Sequence, residues 1–386
     1  MAKSSFQGLS LIRKDNQKKV ISILKAGGSC SCAQLNKTLP FSSVALYNVM
    51  DDLVKKNIVK SVADNKSNVG RKPSLYALNE RFGLFAGVDY SSPRIKIDVF
   101  DIYGNSLISE QTDERFSLSI DDVKYSIDRL SSLLQSKNLC DLKIKAVCVC
   151  TPGRIDKETG YFWKAAKFID CTKINLFNLF RGKFDCPIVV KNDMHIALIG
   201  HKNIEPLNTT NSAIYYHVSG YAGATLYING EIFEGENGYA GEFGSVTDYD
   251  DTPLITEISL SNMIRRYLNL NVSPENNKII DQKQDEFIQK FLSDDEKTVK
   301  IVDQAAKTFA VSISNIVVML DIATVIINGT LSLLGDKYLE RLNKYLNQNE
   351  FSKKTRCYFS PLKEKANYYG LVETAIQTGI YSALDE

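Results

Sequence analysis

The polar residues best placed to do chemistry stand where apolar runs end. Ile188–Val190 is followed at once by Lys191-Asn192-Asp193 and then by a helical pattern. Polar groups directly after a strand and before a helix occupy the carboxyl edge of a sheet, where open α/β sheets bind ligands. There Asp193 can serve as a general base toward a hydroxyl or accept a hydrogen bond from one. It can equally be a helix cap. The apolar run Ile144–Cys150 ends in the same way, in Thr151-Pro152-Gly153. A second constellation is Gly235–Ser245, GENGYAGEFGS, with four glycines around the carboxylate of Glu242. Between two further apolar runs lies Ser219-Gly220-Tyr221-Ala222-Gly223. Such a turn can cradle phosphate with its backbone N–H groups, or its glycines simply make the turn.

The elements that must position these groups read as α/β. Phe85–Asp89 and Ile95–Phe100 form a hairpin, and Ser106–Gln111 adds a third strand. Ser119 with Asp122 caps a helix running to Lys137. Ala213–Val218 and Ala224–Ile228 follow, and Asn229-Gly230 is a type I′ hairpin signal. Helices are predicted over Pro253–Leu268 and Glu296–Leu320. The strand Val325–Asn328, a further helix, the strand Arg356–Ser360 and a closing helix from Tyr369 complete the chain.

The first 80 residues differ in kind. They carry 13 Lys/Arg against 5 Asp/Glu, whereas the remainder carries 34 against 40. A small basic domain joined to a larger acidic one points to a polyanion for the first alone, or to a solvated lysine-rich surface. Asp15-Asn16 caps a helix to Ala26 with a stripe of Val20, Ile21, Ile23 and Leu24. Gly27-Gly28 stops it. A second helix covers Cys32–Thr38. Ser42 or Ser43 caps a third that runs to Lys56, with Val44, Leu46, Val49, Met50, Leu53 and Val54 as its core face. Ile58–Val62 and Ser74–Leu78 are strands around a polar loop. Three helices and a two-stranded wing make a winged helix-turn-helix, whose third helix enters the major groove. The same pattern also suits a three-helix interaction module without DNA. As a DNA reader, the third helix offers Ser42, Ser43, Ala45, Tyr47 and Asn48. Asn can pair two-fold with adenine, and Ser and Tyr suit phosphates or base edges. Arg71 and Lys72, after Gly70, are placed at the wing to reach the backbone or a minor groove.

With 386 residues, 44% hydrophobic and 24% charged, the chain is globular and long enough for two or three compact units. The stretch Gly70–Gly104 is the joint between them. The N-terminus has no apolar h-region, and no run approaches the ~18 apolar residues of a membrane span, so a cytoplasmic protein with no membrane partner is expected. The eight cysteines are scattered. Cys30/Cys32 and Cys148/Cys150 are C-x-C pairs rather than the C-x-x-C of zinc sites, and buried free thiols in a reducing compartment fit better than a metal.

The order of these motifs resembles the ROK family of repressors, open reading frames and sugar kinases, over nearly the whole chain. DNQKKVISIL, the third helix and GRKPSLYALN resemble the DNA-binding part of its repressor branch. AGVDYSSPRIKIDVFDIYG resembles its first phosphate hairpin, and CTPGRID the loop after the next strand. VVKNDMHIALIG resembles its asparagine-aspartate motif. HVSGYAGATLYINGEIFEGENGYAGEFG resembles the second phosphate hairpin and the glycine-glutamate motif. TVIINGTLSLLG resembles the adenosine segment, and ANYYGLVETAI the closing helix. The resemblance implies a winged helix-turn-helix domain over 1–80 and a two-lobed, actin-like (ribonuclease H-like) α/β domain over 81–386. Lobe one would be 81–192 with the C-terminal helix 369–386, and lobe two 193–368, with a sugar cleft between them. It implies that Asn192, Asp193 and Glu242 hold sugar hydroxyls, that Gly153 lines the cleft, and that Glu257, followed by Ser261, is a further contact. Short amides and carboxylates can each take two vicinal hydroxyls. In a kinase Asp193 would be the base.

The chain also departs from that family. Ser245 stands where a histidine is usual. The path from Ser245 to Glu257 holds no cysteine, so the usual zinc loop is missing and no structural zinc is expected. The first phosphate turn is Asp89-Tyr90-Ser91-Ser92-Pro93, in which Tyr90 brings bulk and Pro93 removes a donor. Tyr221 adds bulk to the second, so ATP binding is not expected. The reading is a sugar-responsive, DNA-binding transcriptional regulator of carbohydrate utilisation, a repressor released by a sugar. It would act as a homodimer or homotetramer on a near-palindromic operator, and not as an enzyme. The rivals are an ATP-dependent sugar kinase and a regulator whose cleft has lost sugar and answers to a protein partner.

Overall fold

The computed structural model describes residues 2–62, 74–92, 94–113, 118–156, 161–164, 174–204, 206–247 and 250–385. The described chain packs into two units. One comprises residues up to Val149, Leu176–Val190 and Leu371 onward; the other comprises Cys150–Asn175 and Lys191–Gly370.

The chain opens with helix α1 (Ala2–Gly27), strand β1 (Ser29–Ser31), α2 (Cys32–Thr38), α3 (Ser43–Lys55), β2 (Val59–Val62) and β3 (Leu75–Leu78). Contrary to the sequence reading, α1 does not begin at Asp15. It runs through that position, and Asp15 pairs with Lys19 one turn on, at 2.6 Å, so a residue able to cap serves inside the helix instead. The expected ends of α2 hold. Ser31 and Gln34 form a reciprocal capping box there. Val20, Leu24, Leu35, Leu46, Val49, Met50 and Leu53 are buried together with Ile58 and Leu78. The small sheet has three strands, in the order β1-β3-β2, all antiparallel. The wing therefore rests on an extra strand that the short run Ser29–Ser31 did not signal. Arg71 and Lys72 lie outside the described residues.

Next come β4 (Leu84–Asp89), β5 (Lys96–Phe100), β6 (Ser106–Gln111), α4 (Ile120–Ser136) and β7 (Ile144–Thr151). Three short strands follow, β8 (Arg154–Ile155), β9 (Tyr161–Lys164) and β10 (Ile174–Asn175). Then α5 (Leu176–Arg181) leads to β11 (Ile188–Asn192) and α6 (Asp193–His201). The first large sheet has the order β11-β7-β4-β5-β6. All of β4, and β7 from Ala146 to Thr151, are buried, the pattern of strands covered on both faces. Cys148 and Cys150 are fully buried within it.

The remainder contains β12 (Ala213–Val218), β13 (Ala222–Ile228), β14 (Glu231–Phe233), α7 (Ile255–Ile258), α8 (Leu260–Leu268), α9 (Pro274–Leu292), α10 (Glu296–Leu320), β15 (Thr324–Asn328), α11 (Asp336–Leu346), β16 (Arg356–Phe359) and α12 (Ala366–Asp385). The second large sheet is β14-β13-β12-β15-β16, with parallel pairs at β12/β15 and β15/β16. Asn229 and Gly230 both take positive φ, as a type I′ turn requires. The single helix expected over Pro253–Leu268 breaks at Ser259, whose hydroxyl caps α8. The helix α9 had no strong signal because its apolar positions are sparse; Ile280, Phe287, Ile288 and Phe291 nonetheless bury. Among the described helices only α10 is long and apolar enough to cross a membrane. Its stripe of Val302, Ala306, Phe309, Ile313 and Val317 lies in the core of the second unit, which is where a core helix belongs.

Candidate functional site

The residues expected to form the sugar site, Gly153, Asn192, Asp193, Glu242 and Glu257, all fall in the second unit, and those expected to read DNA on α3 fall in the first. The strand β11 ends at Asn192, which is the N-cap of α6. Its Oδ1 accepts from Met194 N–H at 2.8 Å, and its Nδ2 donates to the carbonyl of Gly153 at 2.9 Å. One side chain thus starts the helix and ties the end of β11 to the loop after β7. Asp193 is the first residue of α6 and is buried, with Oδ1 accepting from Met194 N–H at 3.0 Å. The N-cap is thus Asn192 and not Asp193, whose carboxylate at the first helical position is stabilised by the local dipole.

Glu242 is placed by close backbone packing. Gly241 takes φ +89°, and a Cβ there would meet the carbonyl of Ala224 at 2.2 Å. The carbonyl of Gly241 accepts from Ala224 N–H at 2.9 Å. Phe243 anchors the other side, packed edge-on against Tyr216 at 4.7 Å between ring centres. The same stretch of β13 meets α6, because Gly223 lies 3.2 Å, measured from an ideal Cβ, from the side chain of Met194. Residues 222–224 therefore seat both the glycine-glutamate loop and the first turn of α6. That is the physical link between Glu242 and Asn192-Asp193.

Glu257 is held differently. Arg266 donates through Nη1 to its Oε2 at 2.8 Å and through Nη2 to its main-chain carbonyl at 2.7 Å. The guanidinium locks the carboxylate to α8, an engagement the sequence did not reveal. The segment leading to it closes on itself, with Leu254 N–H donating to Val246 carbonyl at 2.9 Å.

Two supports of the site were not foreseen. Tyr215 is fully buried on β12 and accepts from Asn328 Nδ2 at 2.8 Å. Burial pushes its phenol far up, Asn328 opposes this, and the charge of Asp193 adds to it. At the other end of α6, His201 sits with Nδ1 2.7 Å from the carbonyl of Ala197 and Nε2 2.7 Å from Ser360 Oγ. Burial lowers its pKa. Neither residue carried a signal, since strand parity and a helix C-terminus say nothing about a partner more than a hundred positions away.

The phosphate turns also differ from expectation. Tyr90 does not crowd its turn. Its ring is fully buried, and its hydroxyl is hydrogen-bonded to Ser126 of α4. Within the turn Asp89 Oδ1 accepts from Ser91 N–H at 2.7 Å, so that backbone donor is already engaged. Pro93 lies outside the described residues. In the second turn Tyr221 stacks on His217 at 4.8 Å, and Ser219 N–H bonds internally to Tyr221 carbonyl at 2.9 Å.

In the DNA-reading candidate, Ser42 caps α3 by accepting from Ala45 N–H at 3.2 Å. Ser43 Oγ accepts from Asn36 Nδ2 at 3.0 Å, fastening α2 to α3. Ala45 and Asn48 line a groove of about 440 Å³ with Ile12, Arg13 and Asn16 of α1. Tyr47 is exposed. Two residues assigned to the core face are not in it, because Val44 is 71% and Val54 41% exposed.

A profile of the ROK family matches residues 85–373. The chain belongs to the ROK family. This member is similar over nearly its whole length to the xylose repressor of Caldicellulosiruptor bescii, at 24% identity over 95% of this chain and 96% of that protein. The xylose repressor of Bacillus spizizenii is 24% identical over 62% of each chain. Among solved structures, a ROK family transcriptional regulator homologous to the E. coli MLC protein superposes with TM-score 0.78 at 13% identity, covering 97% of this chain and all of that one. A ROK family glucokinase from Streptomyces griseus, solved with glucose and AMPPNP, superposes with TM-score 0.59 at 18% identity over 76% of this chain and all of that chain. The regulator structure extends over the N-terminal helices, whereas the kinase match does not span the whole chain.

Proposed function

We infer that this chain is a sugar-responsive transcriptional repressor of the ROK family. The observation that carries the reading is its end-to-end similarity to a xylose repressor, through the N-terminal helices as well as the ROK region. The sugar kinase reading has less support, since the first phosphate turn satisfies its own N–H donor and the second is capped by the Tyr221–His217 stack. The sugar site is built from Asn192, Asp193, Glu242 and Gly153, with Glu257 as a further contact held by Arg266. D-Xylose is the first effector to test. The DNA head comprises residues 1–80, and two copies in a cytoplasmic homo-oligomer address a near-palindromic operator.

The response travels through α12. In the second unit α12 begins against α6, where Gly370 and Gly200 let the helix backbones touch. A Cβ at Gly370 would meet the carbonyl of Ile196 at 1.8 Å, and one at Gly200 the carbonyl of Ala366 at 2.2 Å. In the first unit α12 holds the DNA head. Lys25 pairs with Glu373 at 2.7 Å, Lys56 Nζ donates to Ala383 carbonyl at 2.8 Å, and Lys14 pairs with Asp385. A sugar that reseats Asp193 and α6 thereby biases the head, with a coupling of about 1–3 kcal/mol.

The test is Asp193→Ala, assayed by thermal shift with D-xylose and by operator gel shift. The sugar response should vanish while operator affinity stays. Normal release from the operator by sugar in this variant would refute the site.

A further inference from the structure

Val44 is the anomaly of the DNA head. A β-branched apolar residue is a poor helix former, and here it stands 71% exposed on the first turn of α3. Tyr47, three residues on and therefore on the same face, is 57% exposed. The other candidates on this turn have structural partners: Ser42 caps the helix, Ser43 bonds Asn36, and Ala45 and Asn48 line the groove against α1. What α3 presents outward at its N-terminal end thus includes a small apolar patch, Val44 with the ring of Tyr47, beside the exposed Ser42, Ser43 and Asn48. The surrounding segment carries 13 Lys/Arg against 5 Asp/Glu, and that charge favours a polyanion as the surface seated on it.

We propose that Val44 is a specificity residue that reads the C5-methyl group of thymine in the major groove, with Tyr47 beside it. Among base edges in that groove only thymine presents a methyl group, and apolar side chains contact it. This assignment rests on the DNA-binding reading of the head, and it differs from hydrogen-bond readout because it discriminates thymine from uracil, which no donor or acceptor pattern can do.

The experiment uses the full-length chain and a duplex recovered by repeated selection from a random-sequence library. Each thymine of that duplex is replaced in turn by uracil, and affinity is measured by fluorescence anisotropy for the wild type, Val44→Ala and Val44→Thr. Wild type should lose about fourfold at one position per half-site, the scale of one methyl-sized apolar contact. Val44→Ala should bind the thymine duplex about fourfold more weakly and show no further loss with uracil at that position. Val44→Thr, which keeps one methyl group, should retain part of the sensitivity. If Val44→Ala keeps the full uracil penalty at every position, the assignment is wrong. If it binds DNA normally but changes the oligomeric mass, Val44 belongs to a protein interface and the assignment is equally wrong. Failure of the wild type to enrich any duplex removes the DNA-binding reading itself, and the inference with it.

Discussion

Asp98 should limit the stability of the first unit at neutral pH, and removing its charge should raise it. The residue lies on β5 between Gly87 of β4 and Ser109 of β6, and is 4% exposed. Its Oδ1 has no hydrogen-bond partner among the described residues. Burial pushes its carboxyl up from 3.8 to about 6; a hydrogen bond from Ser109 and the charge of Lys96 oppose this, and the charge of Asp89 adds to it. The folded state therefore holds the proton more tightly than the unfolded chain. Stability is greatest at acid pH from this group alone, declines as pH rises from about 4 to about 6, and stays low above that. The gap corresponds to about 3 kcal/mol at pH 7.5. Asp98→Asn mimics the protonated form. It should raise the melting temperature at pH 7.5 by roughly 6–12 °C, at a typical 2–4 °C per kcal/mol for a unit of this size. At pH 4.5, where the folded carboxyl is already protonated but the unfolded one is mostly ionised, the gain should shrink to about a third. Calorimetric scans of both proteins across pH 4.5–8 provide the measurement. An equal gain at both extremes, or none at pH 7.5, would show that the charge is not what the burial opposes.

Two further substitutions probe the site. Gly241→Ala forces a Cβ to within 2.2 Å of the Ala224 carbonyl at φ +89°; it should displace Glu242 and weaken the sugar-induced thermal shift at least tenfold in required sugar concentration, and an unchanged titration would remove Glu242 from the site. Arg266→Met unlocks Glu257 from both hydrogen bonds of the guanidinium. It should weaken sugar binding several-fold while leaving operator affinity unchanged, and an unaltered sugar titration would confine this ion pair to a structural role.

Much of the architecture was legible because local physics and global fold agree. The run Ile188–Val190 followed by Lys191-Asn192-Asp193 could be read as strand, cap and helix from residue types alone, although the cap is Asn192 rather than Asp193, one position earlier. Ser119 with Asp122 and Ser31 with Gln34 are capping boxes, complete within four residues. Asn229-Gly230 carries its turn in its own backbone preferences. The family followed from the order of such local signals.

What escaped the sequence depends on partners distant along the chain. Val44 and Val54 look like core residues by periodicity, but which residues of a helix are covered depends on where its neighbours lie, and α1 covers a different arc of α3. Tyr90 looked like an obstruction until the packing of α4 gave its ring and hydroxyl a buried place. The asparagine that reaches Gly153, the arginine that grips Glu257 and the serine that meets His201 are pairings across 39, 9 and 159 positions. Residue type and spacing determined the elements, their caps and the candidate ligands of the site. Only tertiary packing decided which of those side chains are spoken for and which face outward, because a hydrogen bond or a buried face belongs to two segments at once and neither carries it alone.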